Sequence, residues 1–217
     1  MYKLAVFDLD GTILDTLEDL TTAVKFALDN NGLPTRSREE VRSFVGNGIV
    51  NLMKRAAGEN AANGDKVLAD FKEYYKEHCA EQTKPYAGIL EMLGALKAKG
   101  VKLAVLSNKA HFATTLLAQR YFPDIFNTVA GENEAAGIRK KPAPDALVAI
   151  MKQYGVSAKE TVYIGDSEVD IQTAKNAGVD CISVCWGFKD EKFLQENGAS
   201  VIVKNTQEIL QIFEAKQ

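Results

Sequence analysis

The chain has 217 residues, of which 46% are hydrophobic and 25% are charged, and its formal net charge is −3. These values are typical of a globular protein with one full-sized domain and a smaller one. No long basic run is present, and no apolar stretch reaches the roughly 18 residues that span a bilayer. We therefore expect no nucleic acid and no membrane among its partners.

The amino terminus and the cysteines predict a cytoplasmic protein. The opening residues, MYKLAVFDLD, lack the basic region and the long apolar region of a secretory signal peptide. The cysteines, Cys79, Cys181 and Cys185, are odd in number and form no CxxC pair. A reducing compartment is the simplest setting for such a set.

Apolar runs typical of buried strands recur along the chain and alternate with helical patterns. The runs are KLAVF (3–7), VKLAVLS (101–107), NTVAG (127–131), TVYIG (161–165), VDCISVCW (179–186) and the weaker SVIVK (200–204). Most are continuous in aliphatic residues, as expected for strands that are covered on both faces. Helical patterns occupy residues 89–96, 146–154 and 171–177. This alternation predicts an α/β fold, a Rossmann-like parallel sheet with helices on both faces.

One long segment, from about residue 17 to residue 83, contains no convincing strand. Asn-Gly and Gly-Asn-Gly turns divide it, and two apolar stripes at helical spacing run through it. We expect residues 16–83 to form a small α-helical cap domain, inserted into a core domain of residues 1–15 and 84–217. The stripes consist of Leu17, Leu20, Val24 and Leu28, and of Val67, Leu68, Phe71, Tyr74, Tyr75 and His78.

Polar residues follow several of the predicted strands or lie between two of them. Because the carboxyl ends of parallel strands meet at one edge of a sheet, we expect these side chains to converge. Each residue alone has a structural explanation, as a turn, a helix cap or a solvated lysine. Together they supply hard oxygen ligands and a positive charge, as a Mg²⁺ and phosphate site requires. The residues are Asp8, Asp10, Ser107, Asn108, Lys141, Asp166 and Asp170.

Four of the segments that contain these residues resemble the signature motifs of the haloacid dehalogenase-like (HAD) superfamily. They are FDLDGT, LSN, KP and GDSEVD, in this order, and the resemblance covers the whole chain. The helical segment after the first motif resembles the first class of cap in that family. The resemblance implies a Rossmann-like core and a reaction through an aspartyl phosphate.

The resemblance also implies a role for each residue of the motifs. Asp8 would be the nucleophile, and Asp10 would protonate the leaving oxygen and later activate water. Ser107 and Lys141 would hold the phosphoryl oxygens, with Asn108 in the same substrate-binding set. The remaining implied roles concern Mg²⁺: Asp8, the backbone carbonyl of Asp10 and Asp166 would bind it, and Asp170 would orient these ligands.

The same residues narrow the expected activity but leave alternatives open. Asp10 argues against a dehalogenase, since a halide leaving group needs no acid. Residues 41–56 (VRSFVGNGIVNLMKRA) and 181–210 resemble bacterial phosphoglycolate phosphatases, and this predicts Mg²⁺-dependent hydrolysis of a small phosphorylated metabolite. Asn47, in the VGNG turn, is expected to contact the far end of that substrate.

Two other functions share the predicted core residues. One is a sugar-phosphate mutase of the β-phosphoglucomutase type, which would differ in how the cap shields the aspartyl phosphate from water. The other is a non-enzymatic, receiver-like domain that accepts a phosphoryl group as a signal, although such a switch needs neither a cap nor Asp10. The natural substrate, the oligomeric state and the turnover rate are not determined by the sequence.

Overall fold

The computed structural model describes residues 1–58, 62–133 and 137–216. The chain divides into two compact units, an α/β unit (Met1–Leu14 and Pro85–Gln217) and a helical unit (Asp15–Lys84). The sequence pattern predicts domain boundaries between residues 15 and 16 and between residues 83 and 84, each one residue from a boundary of these units. In the described residues, no helix is long and apolar enough to cross a bilayer. The cytoplasmic location stays a prediction.

The strands of the described residues form one large sheet and one very small one. In chain order they are β1 (Leu4–Phe7), β2 (Leu14–Asp15), β3 (Lys84–Pro85), β4 (Lys102–Ala110), β5 (Thr128–Glu132), β6 (Thr161–Gly165), β7 (Asp180–Val184) and β8 (Ile202–Val203). The large sheet has the order β5-β4-β1-β6-β7-β8, and β2 and β3 form the small one. Neighbouring strands of the large sheet are parallel throughout. The predicted parallel α/β fold is therefore confirmed.

Helices fill the helical unit and the crossovers of the sheet. The helical unit contains α1 (Leu17–Asp29), α2 (Arg38–Phe44), α3 (Ile49–Ala57) and α4 (Gly64–His78). The sequence pattern predicted the stripes of α1 and α4 but did not resolve α2 and α3. The α/β unit contains α5 (Ile89–Ala98), α6 (His111–Tyr121), α7 (Asp145–Tyr154), α8 (Glu168–Ala177), α9 (Glu191–Glu196) and α10 (Thr206–Ala215).

The central strand β1 is buried on both faces, which explains its continuous apolar sequence. Leu4 and Val6 lie in one core cluster with residues of α7 and α8, including Leu147. Successive side chains of a strand point to opposite faces, so Ala5 and Phe7 lie on the other side, where they are also fully buried. The carboxyl end of β1 is therefore held rigidly at the centre of the sheet.

Two strand ends differ from the prediction, and both differences change the edge where the polar residues lie. β4 continues to Ala110 instead of ending at residue 107, because its ladder with β5 resumes after a register shift and pairs Ala110 with Glu132. β7 ends at Val184 instead of residue 186, and the indole of Trp186 donates to the Thr12 carbonyl oxygen. Ser107 and Asn108 consequently lie within an irregular part of β4, not behind it.

In the helical unit, α1 packs against α4 along the two predicted stripes. His78, which the sequence pattern includes in the second stripe, packs at the edge of that stripe and not in the interior. Its side chain is 36% exposed, its ring stacks on Tyr74 at the edge of the stripe, and its Nδ1 lies 2.7 Å from a Glu81 oxygen. Asp19 of α1 carries a buried carboxylate, which accepts bonds from the backbone amides of Gln82 and Thr83.

Candidate active site

Asp8 follows β1 directly and lies at the centre of a buried polar cluster in the α/β unit. Its amide donates to the Ile164 carbonyl at 2.9 Å, which extends the pairing of β1 with β6 by one residue. One carboxylate oxygen accepts from the Leu9 amide at 2.7 Å, and the other lies 3.1 Å from Lys141 Nζ. The carboxylate is thus fixed at the strand end beside a cation, as a nucleophile requires.

Lys141 is almost completely buried and is surrounded by acceptors. Its Nζ lies 2.7 Å from Asp170 Oδ1 and donates to the Tyr163 hydroxyl at 3.0 Å, and that hydroxyl donates to the Leu106 carbonyl at 2.7 Å. Burial lowers the pKa of this lysine, but the charges of Asp170 and Asp8 outweigh it and raise the pKa well above its ordinary value. Lys141 therefore remains a cation near Asp8 at neutral pH.

Asn108 holds the backbone of Lys141 in place. Its side-chain oxygen accepts from the Lys141 amide at 2.8 Å, and its side-chain nitrogen donates to the Lys141 carbonyl at 3.0 Å. These bonds give Asn108 a structural role in the site, and its direct contact with substrate stays a prediction. Ser107 is buried beside Asp8, and its hydroxyl accepts from the Lys109 amide at 3.3 Å.

Three buried carboxylates, those of Asp8, Asp166 and Asp170, each offer an oxygen within 4.8 Å of the others. Burial raises the pKa of Asp8 to about 6; the charge of Lys141 lowers this pKa, and the charge of Asp170 raises it. Burial, followed by the charges of Asp170 and Asp8, also raises the pKa of Asp166 well above its ordinary value. A divalent cation would neutralise this repulsion, and hard carboxylate oxygens are the ligands that Mg²⁺ prefers. The donor set therefore fits such an ion.

Asp166 is enclosed by two glycines and oriented by a backbone amide. The Phe188 amide donates to its Oδ2 at 2.7 Å. A Cβ on Gly187 would lie 2.5 Å from Asp166 Oδ2 and 2.2 Å from the Gly11 carbonyl oxygen, and a Cβ on Gly11 would lie 2.2 Å from the same Oδ2. Only glycine fits at positions 11 and 187. The sequence pattern did not predict a role for Gly187.

Both carboxylate oxygens of Asp170 are bonded to other groups of the protein. Oδ1 faces Lys141, and Oδ2 accepts from the amide and the hydroxyl of Ser167 at 3.1 and 2.6 Å. The bond from the Ser167 amide is one half of a capping box at the start of α8, which places Asp170, the third residue of the helix, against the sheet edge. Asp170 thereby connects the cation of Lys141 to the loop that carries Asp166.

Asp10 forms an ion pair with Lys109, a residue to which the sequence pattern assigned no role. Lys109 Nζ lies 3.0 and 3.2 Å from the two carboxylate oxygens of Asp10. The residues are 99 positions apart, so no local pattern indicates their pairing. Asn47 lies in the helical unit, in the turn before α3, where its carbonyl accepts from the Asn51 side chain at 2.9 Å. Its contact with substrate stays a prediction.

Comparisons with known proteins indicate the family of this chain. The family model described as haloacid dehalogenase-like hydrolase matches residues 5–184. The chain is 34% identical to a phosphoglycolate phosphatase of Pseudomonas syringae pv. tomato, over 96% of this chain and 78% of that protein. It is 32% identical to the phosphoglycolate phosphatase of Thiobacillus denitrificans, over 95% and 93% of the two chains.

Solved structures give the same result. A protein of Lactobacillus delbrueckii subsp. bulgaricus, provisionally named phosphoglycolate phosphatase, superposes with a TM-score of 0.90 at 40% identity, over 96% of each chain. A predicted phosphoglycolate phosphatase of Haemophilus somnus superposes with a TM-score of 0.90 at 28% identity, over 98% of each chain. The family model covers most of the chain and these relatives nearly all of it, so the protein belongs to the haloacid dehalogenase-like hydrolases.

Proposed function

We propose that this protein is a Mg²⁺-dependent phosphatase that hydrolyses a small phosphate monoester of the phosphoglycolate type through an aspartyl phosphate on Asp8. One observation carries the proposal: a buried carboxylate at the centre of the sheet faces a buried lysine and two further carboxylates. Membership of a hydrolase family supports a catalytic role over a receiver-like signalling role.

In the first step, an oxygen of Asp8 attacks phosphorus, and the bond from phosphorus to the ester oxygen breaks as the new bond forms. Lys141 offsets the repulsion between the carboxylate and the phosphoryl group, because its charge lies 3.1 Å from the nucleophile. Ser107, buried beside Asp8, donates its hydroxyl to a phosphoryl oxygen. Asp10 gives its proton to the departing oxygen, so the alcohol leaves neutral.

In the second step, water attacks the aspartyl phosphate. Asp10, now a carboxylate, takes a proton from that water as the new oxygen–phosphorus bond forms and the bond to Asp8 breaks. Inorganic phosphate and free Asp8 are the products, and Asp10 is protonated again. The two carboxylates of the opening motif therefore have different tasks, and each faces its own lysine.

The carboxylates of Asp8 and Asp166 and the backbone carbonyl of Asp10 would hold Mg²⁺, with Asp170 orienting them. When bound, the ion would neutralise charge on the nucleophile and on the phosphoryl group. We further propose that the helical unit is the cap, that it closes over the substrate, and that Asn47 contributes to substrate choice. The substrate class is supported by the names of relatives that match nearly the whole chain.

A panel of small phosphate esters tests the proposal. The purified protein is assayed for phosphate release from 2-phosphoglycolate, other small esters and glucose 1-phosphate, with and without Mg²⁺. Asp8→Asn should abolish release from every ester, because an amide cannot accept the phosphoryl group. Asp190→Asn is the matched control, since it makes the same change at an exposed helix cap that asparagine also forms well.

The outcomes separate the candidate functions. Phosphate release from 2-phosphoglycolate that requires Asp8 and Mg²⁺ supports the proposal. Conversion of glucose 1-phosphate to glucose 6-phosphate without phosphate release would identify a mutase instead. Full activity of Asp8→Asn, or full activity after exhaustive chelation, would refute the assigned nucleophile or the assigned metal.

A further inference from the structure

The pair formed by Lys109 and Asp10 supports a further inference, which rests on the proposed function. We propose that Lys109 is a positioning residue that holds the Asp10 carboxylate toward the leaving group. Its Nζ contacts both carboxylate oxygens, at 3.0 and 3.2 Å. The Lys109 side chain is only 2% exposed and that of Asp10 is 13% exposed. The pair therefore lies at the mouth of the cluster but is largely shielded from water.

The fold holds the backbone of Lys109 in place by close contacts. The Lys109 carbonyl accepts from the Thr114 hydroxyl at 3.2 Å. Gly131 of β5 packs so tightly that a Cβ there would lie 2.7 Å from the Lys109 carbonyl oxygen and 2.5 Å from His111 Cα. These contacts occur where the ladder between β4 and β5 shifts its register. The irregular end of β4 thus presents a lysine to the loop that follows β1.

The geometry of phosphoryl transfer explains why Asp10 needs a partner of its own. The nucleophile and the leaving oxygen lie roughly in line on opposite sides of phosphorus. Asp8 and Asp10 are only two residues apart, yet they have to act on opposite sides. Lys141 contacts Asp8 and Asp170, whereas Lys109 contacts Asp10. Two lysines therefore orient two neighbouring carboxylates separately.

A bond from Lys109 also suits both steps of the reaction. While one oxygen of Asp10 gives its proton to the ester oxygen, the other can accept from the ammonium, which restricts rotation of the carboxyl group. After the transfer, Asp10 is an anion beside a cation and is aimed at the position where water enters. Lys109 touches neither the phosphoryl group nor the water in this scheme, and it acts through Asp10.

The test compares two leaving groups in Lys109→Met, which keeps the length of the side chain and removes the ammonium. An alkyl phosphate needs protonation by Asp10, and p-nitrophenyl phosphate needs it much less. Turnover of the alkyl ester should fall about 10- to 100-fold, which is the cost of a misplaced catalytic group, with little change in KM. The first-turnover release of nitrophenol should fall less than about threefold. Lys102→Met, at an exposed position of the same strand, is the control and should match the wild type.

A double-mutant cycle shows whether Lys109 acts through Asp10. In an Asp10→Asn background, Lys109→Met should lower the single-turnover rate at which the alkyl ester phosphorylates Asp8 by less than about twofold further, because the interaction is already lost. Lys109→Gln is made in parallel, and calorimetric Mg²⁺ binding identifies the variants that are folded at the site. The test can be made with either Lys109 variant, provided that the variant is folded by this criterion.

Two results would overturn the inference. One is an equal loss on both esters in a folded variant, which a purely structural ion pair would give. The other is full additivity of the two changes in the cycle. These failures are distinct from failure of the proposed function, since the latter appears as full activity of Asp8→Asn, whatever the behaviour of Lys109→Met.

Discussion

Gly187→Ala tests whether the glycine beside Asp166 sets the position of a metal ligand. A Cβ at this position would lie 2.2 Å from the Gly11 carbonyl oxygen and 2.5 Å from Asp166 Oδ2. To reach an ordinary contact of 3.4 Å, the first gap has to widen by about 1.2 Å and the second by about 0.9 Å. Both neighbours are buried; one is a backbone carbonyl, and the other is a carboxylate oxygen that the Phe188 amide holds, so neither can move aside without a cost. The strain therefore has to displace the loop, the carboxylate or both.

The expected size of the effect follows from these displacements. Forcing a methyl group into a close-packed site typically costs about 1–3 kcal/mol of stability. Groups that orient a metal ligand typically change metal affinity about 10- to 100-fold when they are altered. We expect Gly187→Ala to bind Mg²⁺ more weakly by that factor. The Phe188 amide, which holds Asp166 Oδ2 at 2.7 Å, should be displaced with the carboxylate.

The assay is calorimetric titration of metal-free protein with Mg²⁺, together with thermal unfolding, and it needs no substrate. Gly94→Ala is the matched control, because it adds the same methyl group to α5 in a position with no heavy atom within 4 Å. That variant should bind Mg²⁺ normally and should be as stable as the wild type or more so. Wild-type Mg²⁺ affinity in Gly187→Ala would refute the assignment of Asp166 as a positioned ligand.

Three further predictions concern other parts of the molecule. With p-nitrophenyl phosphate, Asp10→Asn should release a burst of about one equivalent of nitrophenol and then stall with Asp8 phosphorylated, because hydrolysis still needs the base. Rapid quench and intact-mass analysis measure both products, and steady turnover without a burst would show that Asp10 is not the acid and base. Trp186 is the single tryptophan of the chain, it precedes Gly187, and its indole donates to the Thr12 carbonyl at 3.0 Å. Its fluorescence emission should therefore change during a Mg²⁺ titration, with the same midpoint as the calorimetric titration. Emission that stays constant over that range would contradict a coupling between Trp186 and the metal site. Asp19→Ala should lower the free energy of unfolding by about 2 kcal/mol or more, since it leaves the buried amide of Thr83 without this acceptor. Urea unfolding measures the change, with Asp29→Ala at an exposed position of the same helix as the control, and equal midpoints for the two variants would contradict a stabilising role of Asp19.

The elements that local pattern determines were predictable from the sequence. Continuous aliphatic runs predicted the six parallel strands of the sheet, because strands covered on both faces have no polar side. Helical periodicity predicted α5, α7 and α8, and the stripes predicted α1 and α4. The motifs that carry Asp8, Lys141 and Asp166 predicted a hydrolase of the haloacid dehalogenase-like family, and the family comparison confirmed it.

Only the tertiary structure determined which side chains meet at the edge of the sheet. Lys109 and Asp10 are 99 residues apart, and their contact depends on the order of β4 beside β1 and on the register shift near Ala110. The Asn108 side chain binds the backbone of Lys141 for the same reason, across 33 residues. Sequence periodicity shows which face of an element is buried but not which distant group lies opposite a given side chain. Those pairings depend on the order and register of the strands, which determine which lysine contacts which carboxylate.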